Sequence, residues 1–364
     1  MSLTILGMGT ALPPHVVSQS EAAELGRLVC CQTEEQASLL RVLYRRSGVK
    51  NRHSVLPHRK ALDWVAPAGD AASAVDAADR LGPTTRVRMQ FYEEHASGLA
   101  LTAAEAALCA AAIEPAAISH LVTVSCTGFS APGVDVALIR SLGLAATVER
   151  VHVGFMGCHG AINGLRVARG LAAEMPAARV LLVAVELCSL HYCYQWDPAQ
   201  MVGNAVFADG AAALVAAHGN STADAWRVLA TGSCLLPDSQ DAMAWQIGDH
   251  GFEMQLSARV PDLIGEHLRP WLTRWLDRQG VALENVGSWA VHPGGPRIVS
   301  AVEAALRLTP GATAVSREIL AEHGNMSSPT VLFIVDRLRS RRAPRPCVAL
   351  AFGPGLMAEA ALFG

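Results

Sequence analysis

Short apolar runs rich in valine, isoleucine and leucine recur along the chain, separated by longer Ala-rich stretches in which apolar positions return every three or four residues. The runs "HLVTVSC" (120–126), "RVLLVAVE" (179–186), "GSWAVH" (287–292) and "CVALAFG" (347–353) lack polar alternation. They predict strands covered on both faces. The helical period predicts helices over 98–113, 158–174, 258–278, 294–307 and 326–339. Strands alternating with helices predict an α/β fold. No Gly/Ser-rich or Pro-rich linker divides the chain, and the polar stretch "AAHGNSTADAW" (216–226) is the best candidate junction. It separates a first half, residues 1–220, from a second, residues 221–364.

Composition narrows the class. The 364 residues are 51% hydrophobic and 17% charged, more than one core absorbs, which predicts two domains or one large duplicated one. Net charge is -3, and the only basic run is the short "RLRSRRAPR" from Arg337 to Arg345, so no nucleic-acid partner is expected. The opening "MSLTILGMGTALPP" has no basic flank and its apolar run ends at Pro13 and Pro14, which predicts no secretory signal and a cytoplasmic enzyme. Charges such as Glu105 and Glu114 interrupt apolar runs short of the roughly 18 residues of a membrane span, so no integral membrane association is expected.

Nine scattered cysteines, an odd number, predict reduced thiols rather than a disulfide framework. Only "CSLHYC", with Cys188, His191 and Cys193, approaches metal-ligand spacing, and no second ligand pair accompanies it. No metal is expected.

Three segments carry candidate chemistry. In "GFMGCHGAINGLRVARGLAAE", Cys158 precedes apolar residues at helical spacing, with Gly154 and Gly157 before it. A helix start favours the thiolate, the nucleophilic form, whereas a buried cysteine elsewhere is inert core; both readings stand at this point. In "SWAVHPGGPR", His292 follows an apolar strand, at the strand end where α/β folds place ligand crevices, and is either a proton acceptor or a hydrogen-bonded structural residue. His159 is a rival by adjacency, but neighbouring helical positions point about 100° apart and turn it from the Cys158 sulfur. In "HGNMSSPTVLFIVDRL", Asn325 is either an N-cap or a donor to an oxygen that becomes negative during a reaction.

The order of motifs is specific. "VSCTGFSAPGVD" (124–135), "VGFMGCHGAINGLR" (153–166), "NAVFADGAAA" (204–213), "GDHGFEM" (248–254), "WAVHPGGPRI" (289–298), "GNMSSPTVLF" (324–333) and "AFGPGL" (351–356) resemble, over nearly the whole chain, the type III polyketide synthases. These form the chalcone synthase-like family of the thiolase superfamily, and the motifs are nearer the bacterial alkylpyrone and alkylresorcinol synthases than the plant enzymes. The resemblance implies a thiolase-like five-layer αβαβα sandwich of two similar halves, assembled as a homodimer. It implies Cys158 as acyl acceptor with His292 and Asn325 as catalytic partners, and Phe207 as the aromatic between CoA tunnel and cavity. Cys126, Thr127 and Ser327 would line the starter cavity, with His191 on its far wall and Met254 in place of a plant aromatic. Ala131 falls where plant enzymes carry a methionine that reaches into the partner's cavity. Met254 and Ala131 favour an aliphatic starter, since a thioether fills irregular apolar space and each buried CH₂ adds roughly 0.8 kcal/mol.

The implied substrates are acyl-CoA and malonyl-CoA, with no metal or redox cofactor. The cluster Arg45, Arg46, Lys50 and Arg52 lies in the family's CoA-binding region and is either a diphosphate site or a solvated surface. Two rivals share the pattern. A β-ketoacyl-acyl carrier protein synthase III-like enzyme would perform one condensation, and a non-catalytic acyl-CoA-binding scaffold would perform none. A hydroxymethylglutaryl-CoA synthase would need a glutamate beside the cysteine, and none is evident from spacing.

Overall fold

The structure, a computed structural model, describes residues 2–65, 81–219 and 224–364, so the junction placed at residue 220 lies outside the described residues. The first half runs β1 (Leu3–Ala11), β2 (His15–Ser18), α1 (Gln19–Cys30), α2 (Glu34–Arg46), β3 (Asn51–Ser54) and α3 (Lys60–Val65). It continues through α4 (Thr85–Ala111), β4 (His120–Ser125), α5 (Val134–Leu142), β5 (Glu149–Gly154), α6 (Gly160–Glu174), β6 (Arg179–Leu187), α7 (Pro198–Val206) and β7 (Asp209–His218). The second half runs β8 (Arg227–Leu235), β9 (Met243–Gly248), β10 (Gly251–Leu256), α8 (Val260–Asp277), β11 (Ser288–Val291), α9 (Pro296–Leu306), α10 (Ala314–His323), α11 (Pro329–Ser340), β12 (Cys347–Gly353) and β13 (Met357–Phe363).

The main sheet has the order β11-β12-β13-β8-β1-β7-β6-β4-β5, joined across the two halves where β1 pairs with β8 through Leu3 and Val228. Parallel pairs lie toward both ends, β4 with β5 and β6, and β11 with β12, while the centre is antiparallel. Helices α6 and α11 are buried between the half-sheets, where Ile162, Leu165, Val331 and Phe333 meet Leu182, Leu214 and Ala349. Helices α4 and α5 cover one outer face through Ala100, Ala104 and Leu138, and α8 and α9 cover the other through Ile264, Leu268 and Val302. The layers are therefore helix, sheet, helix, sheet, helix, as the thiolase-like expectation requires.

Covering on both faces explains why β4, β6, β11 and β12 read as unbroken apolar runs. Helix α4 differs from its expectation, beginning at Thr85 rather than 98. Its first turns carry Arg86, Arg88, Glu93 and Glu94 and read as polar, but Arg88 is buried and donates to the main-chain oxygens of Pro83, Leu190 and Tyr192. A buried arginine bound to carbonyls cannot be told from a solvated one by periodicity.

Candidate active site

Cys158, the expected first residue of the helix, sits in the turn between β5 and α6, two positions before the helix begins at Gly160. Gly157 makes that turn at φ +82°, and a Cβ on it would come within 2.5 Å of Pro354 Cδ. The thiol is partly exposed to a cavity yet enclosed by protein. Burial pushes its pKa up to about 11, while the Ser327 and Asn325 side chains pull it down and the Glu186 charge pushes it further up. Burial therefore works against the thiolate that a helix start favours.

His292 follows β11, its amide donating to Leu350 O at 2.8 Å. The ring is 1% exposed, and neither nitrogen has a hydrogen-bond partner among the described residues. Burial, with a smaller push from His159, lowers its pKa to about 3, which favours the neutral imidazole. Asn325 is not an N-cap, because α11 begins after Ser328. Its main chain bridges to the end of α7, with Asn325 N on Val206 O at 2.7 Å and Asn325 O accepting Ala208 N at 2.9 Å. Its Oδ1 accepts the Ser327 amide at 2.8 Å, which turns the amide nitrogen toward the Cys158 thiol. Ser327 is held at φ +54°, a left-handed conformation costing roughly 1–3 kcal/mol in a non-glycine residue. It places Oγ 3.4 Å from Cys126 Sγ.

Three cavities meet around these groups. One, of about 560 Å³, is lined by Cys158, His292, Asn325, Met243, Leu256 and Ile298. A second, about 350 Å³, is lined by Cys126, Thr127, Cys158, Cys188, Trp245 and Ser327. A third, about 860 Å³, runs outward past Trp245, His191, Phe252, Arg52 and Tyr194. Phe207 and Met254 line all three and form the partition between them.

Several expected site residues fall elsewhere. His191 lies on the third cavity, one layer beyond the starter cavity, because Trp245 stands in front of it. Its Nε2 donates to Thr127 O at 2.7 Å, its Nδ1 accepts Phe252 N at 2.9 Å, and burial lowers its pKa to about 3, so the ring serves as a neutral spacer stacked on Phe252. Ala131 is exposed in an outer groove and does not line the cavity of its own chain. Arg52 is buried and donates to Asn204 O and Phe207 O, so its charge is spent holding the end of α7 rather than facing a diphosphate. Arg46 and Lys50 are exposed, at the end of α2 and just before β3. Cys188 lines the cavities while Cys193 Sγ turns to Gln195 O, so the "CSLHYC" thiols diverge.

Two residues escaped the sequence reading. Glu186, fully buried at the end of β6, accepts Cys126 N at 2.9 Å, Thr127 Oγ1 at 2.7 Å and Ser328 Oγ at 2.6 Å. Burial raises its pKa and these donors pull it back. A carboxylate closing the apolar run "RVLLVAVE" was the available signal. Trp245 on β9 donates its Nε1 to Cys126 O at 2.8 Å and closes the second cavity. No spacing rule marks it.

A family model described as chalcone and stilbene synthases, N-terminal domain, matches residues 2–219, and its C-terminal counterpart matches 228–364. The chain belongs to the chalcone and stilbene synthase family. Among relatives, it is 36% identical to 1,3,6,8-tetrahydroxynaphthalene synthase of Streptomyces peucetius subsp. caesius, over 98% of this chain and 91% of that one. It is 34% identical to alpha-pyrone synthesis polyketide synthase-like Pks18 of Mycobacterium tuberculosis, over 99% and 90%. The structure of PKS-I from the brown alga Ectocarpus siliculosus superposes with a TM-score of 0.91 at 30% identity, covering 100% of this chain and 98% of the other. As a type III polyketide synthase the chain is an acyltransferase that condenses malonyl-CoA iteratively onto an acyl-CoA. No helix among the described residues is long and apolar enough to cross a membrane.

Proposed function

We propose that Cys158 is the acyl acceptor of this synthase, with His292 and Asn325 as its catalytic partners, and that the starter is aliphatic and the product an alkylpyrone or alkylresorcinol. One observation carries the assignment of roles: three side chains from separate junctions, two after strands and one between α10 and α11, line a single cavity. Burial favours the neutral thiol and the neutral imidazole, and transfer of the proton from one to the other makes the thiolate and its paired imidazolium. The Cys158 proton passes to His292, the thiolate attacks the starter carbonyl, and the tetrahedral intermediate expels CoA thiolate, which takes the proton from His292.

Malonyl-CoA then loses CO₂. The electron pair of the broken C–C bond becomes an enolate whose oxygen needs donors. The Asn325 amide and the His292 ring, both buried, are the donors at that place, and because no protein partner fixes either His292 nitrogen the ring is free to present its N–H to the oxygen. The carbanion attacks the acyl–Cys158 carbonyl, a C–C bond forms, and the thiolate departs to begin again. The route consumes only CoA thioesters.

An aliphatic starter is supported by the lining of the cavity that Cys158, His292 and Asn325 share, where Val202, Val206, Met243, Met254, Leu256 and Ile298 offer apolar contact without a ring-specific polar group. We also propose that two copies associate through β5. It is the edge strand of the main sheet, and Val151 (40% exposed), Phe129 (43%) and Met156 (39%) leave apolar surface beside it. Ala131 lies on the exposed segment next to Phe129 and would then face the other copy.

The test is mass spectrometry of products from malonyl-CoA alone and with acetyl-, octanoyl-, palmitoyl- and coumaroyl-CoA, with Cys158→Ala as the blank. Alkylpyrones or alkylresorcinols from the aliphatic starters, absent from the blank, are expected. Product from malonyl-CoA alone or only from coumaroyl-CoA would overturn the starter assignment, and product from Cys158→Ala would overturn the acyl acceptor.

A further inference from the structure

The second and third cavities share four lining residues, Cys188, Phe207, Trp245 and Met254. Phe207 and Met254 also line the first cavity, whereas Trp245 and Cys188 face only the second and third. A thiol is small and an indole large. The division between about 350 Å³ on the Cys158 side and about 860 Å³ beyond it therefore falls to Trp245.

The indole is held from three directions. Its Nε1 donates to Cys126 O at 2.8 Å. Its ring meets His191 edge-on, with centroids 5.6 Å apart and planes at 86°, and meets Phe252 in the same way at 5.8 Å and 83°. His191 lies flat on Phe252, centroids 4.1 Å apart, with Nε2 donating to Thr127 O and Nδ1 accepting Phe252 N. Both imidazole nitrogens are thus engaged, and the buried ring cannot turn without giving up a hydrogen bond. Strands β9 and β10, which carry Trp245 and Phe252, pair only with each other, Trp245 standing opposite Met254. A two-stranded ribbon is marginal alone, so contacts of this kind set where its side chains stand.

We propose that Trp245, braced by His191 and Phe252, is a specificity-determining residue that ends the space open to the acyl chain on Cys158 and shuts the third cavity off from it. His191 is a positioning residue for Trp245, which accounts for an ionisable ring set beside apolar space with both nitrogens satisfied. The inference rests on the assignment of Cys158 as acyl acceptor, since Cys158 lines the second cavity. Once the indole is gone, the third cavity takes the far end of a long alkyl chain, which Leu25, Leu56, Trp64 and Phe252 would flank.

Chain length reads out the wall. Each CH₂ that passes from water into apolar space adds roughly fourfold to affinity, so acylation efficiency climbs with length until the space is full and then stops. In the wild type the second cavity sets that stop; without the wall the chain enters the third cavity and the climb continues. His191 does not line the second cavity, so its substitution moves the limit only by way of Trp245.

The experiment is single-turnover release of CoA from hexanoyl-, octanoyl-, dodecanoyl- and palmitoyl-CoA by the full-length enzyme, with acylation efficiency compared along the series. Trp245→Ala is expected to raise the palmitoyl-to-octanoyl ratio about tenfold or more, chiefly through KM. Trp245→Leu is expected to raise it less, and it carries the test if the Ala variant fails to fold. His191→Ala is expected to raise the ratio in the same direction by a few-fold, and Trp245→Phe, which keeps an aromatic wall, to stay nearest the wild type. A wild-type profile that climbs through to palmitoyl-CoA, or an unchanged ratio in both Trp245→Ala and Trp245→Leu, would overturn the wall. A raised ratio in those variants with none in His191→Ala would overturn the brace. CoA release by Cys158→Ala would instead overturn the acyl-acceptor assignment on which both rest.

Discussion

Glu186 at the end of β6 and Glu359 on β13 are each at most 2% exposed, one from each half of the chain, and both reach toward the Cys158 turn. Around Glu186 every donor is uncharged: the Ser125, Thr127 and Ser328 hydroxyls, the Cys126 thiol and the Cys126 amide. Around Glu359 the donors are Asn163, Ser233 and the Arg166 guanidinium. An unneutralised carboxylate keeps its field, and Glu186 accordingly pushes the Cys158 thiol up. A paired carboxylate spends its field locally and acts through the hydrogen bonds it directs. One fold thus uses the same side chain once as a source of potential and once as a clamp.

The contrast breaks most visibly on removal of each carboxylate. Glu186→Leu leaves the Cys126 amide, Thr127 and Ser328 without acceptors in a dry interior, and is expected to cost roughly 3 kcal/mol or more in urea unfolding. Glu359→Leu strands Asn163 and Ser233, but the Arg166 side chain is 39% exposed and turns to water, so about 2 kcal/mol is expected. Equal losses would show that pairing with the Arg166 cation does not distinguish the two carboxylates. The smallest effect tests the field itself. Glu186→Gln removes the charge that raises the Cys158 pKa, so the thiolate forms at lower pH than the value near 11, and Cys158 alkylation by iodoacetamide should shift to lower pH and quicken a few-fold. An unchanged alkylation profile would reduce Glu186 to a hydrogen-bond hub.

Much of the fold was legible because the decisive strands are covered on both faces, and continuous burial writes itself as continuous apolar sequence. His292 was legible as a strand-end residue before Pro293 and the glycines, and Cys158 as a residue before a helix. Their charge states were not. The helix-start argument favours a Cys158 thiolate, whereas burial and the nearby Glu186 push its pKa up. Arg52 matched a cationic cluster in sequence, but pairing β3 with β2 turns it inward onto the carbonyls of α7. Ala131 matched a cavity position by motif order and lies on the outside of its own chain.

By itself the sequence determined the doubly covered strands β4, β6, β11 and β12 and the helices that pack on them, which family the chain joins, and which three junctions carry the candidate side chains. Those properties are local, because periodicity and turn chemistry are set by neighbours a few positions apart. The tertiary structure alone decided that Glu186 and Trp245 back the starter cavity and that Phe207 and Met254 divide three cavities. It also decided that His159 closes a chain of buried groups ending at Arg166. Each depends on residues far apart in the chain and on the low dielectric that burial creates, which no short window of sequence contains.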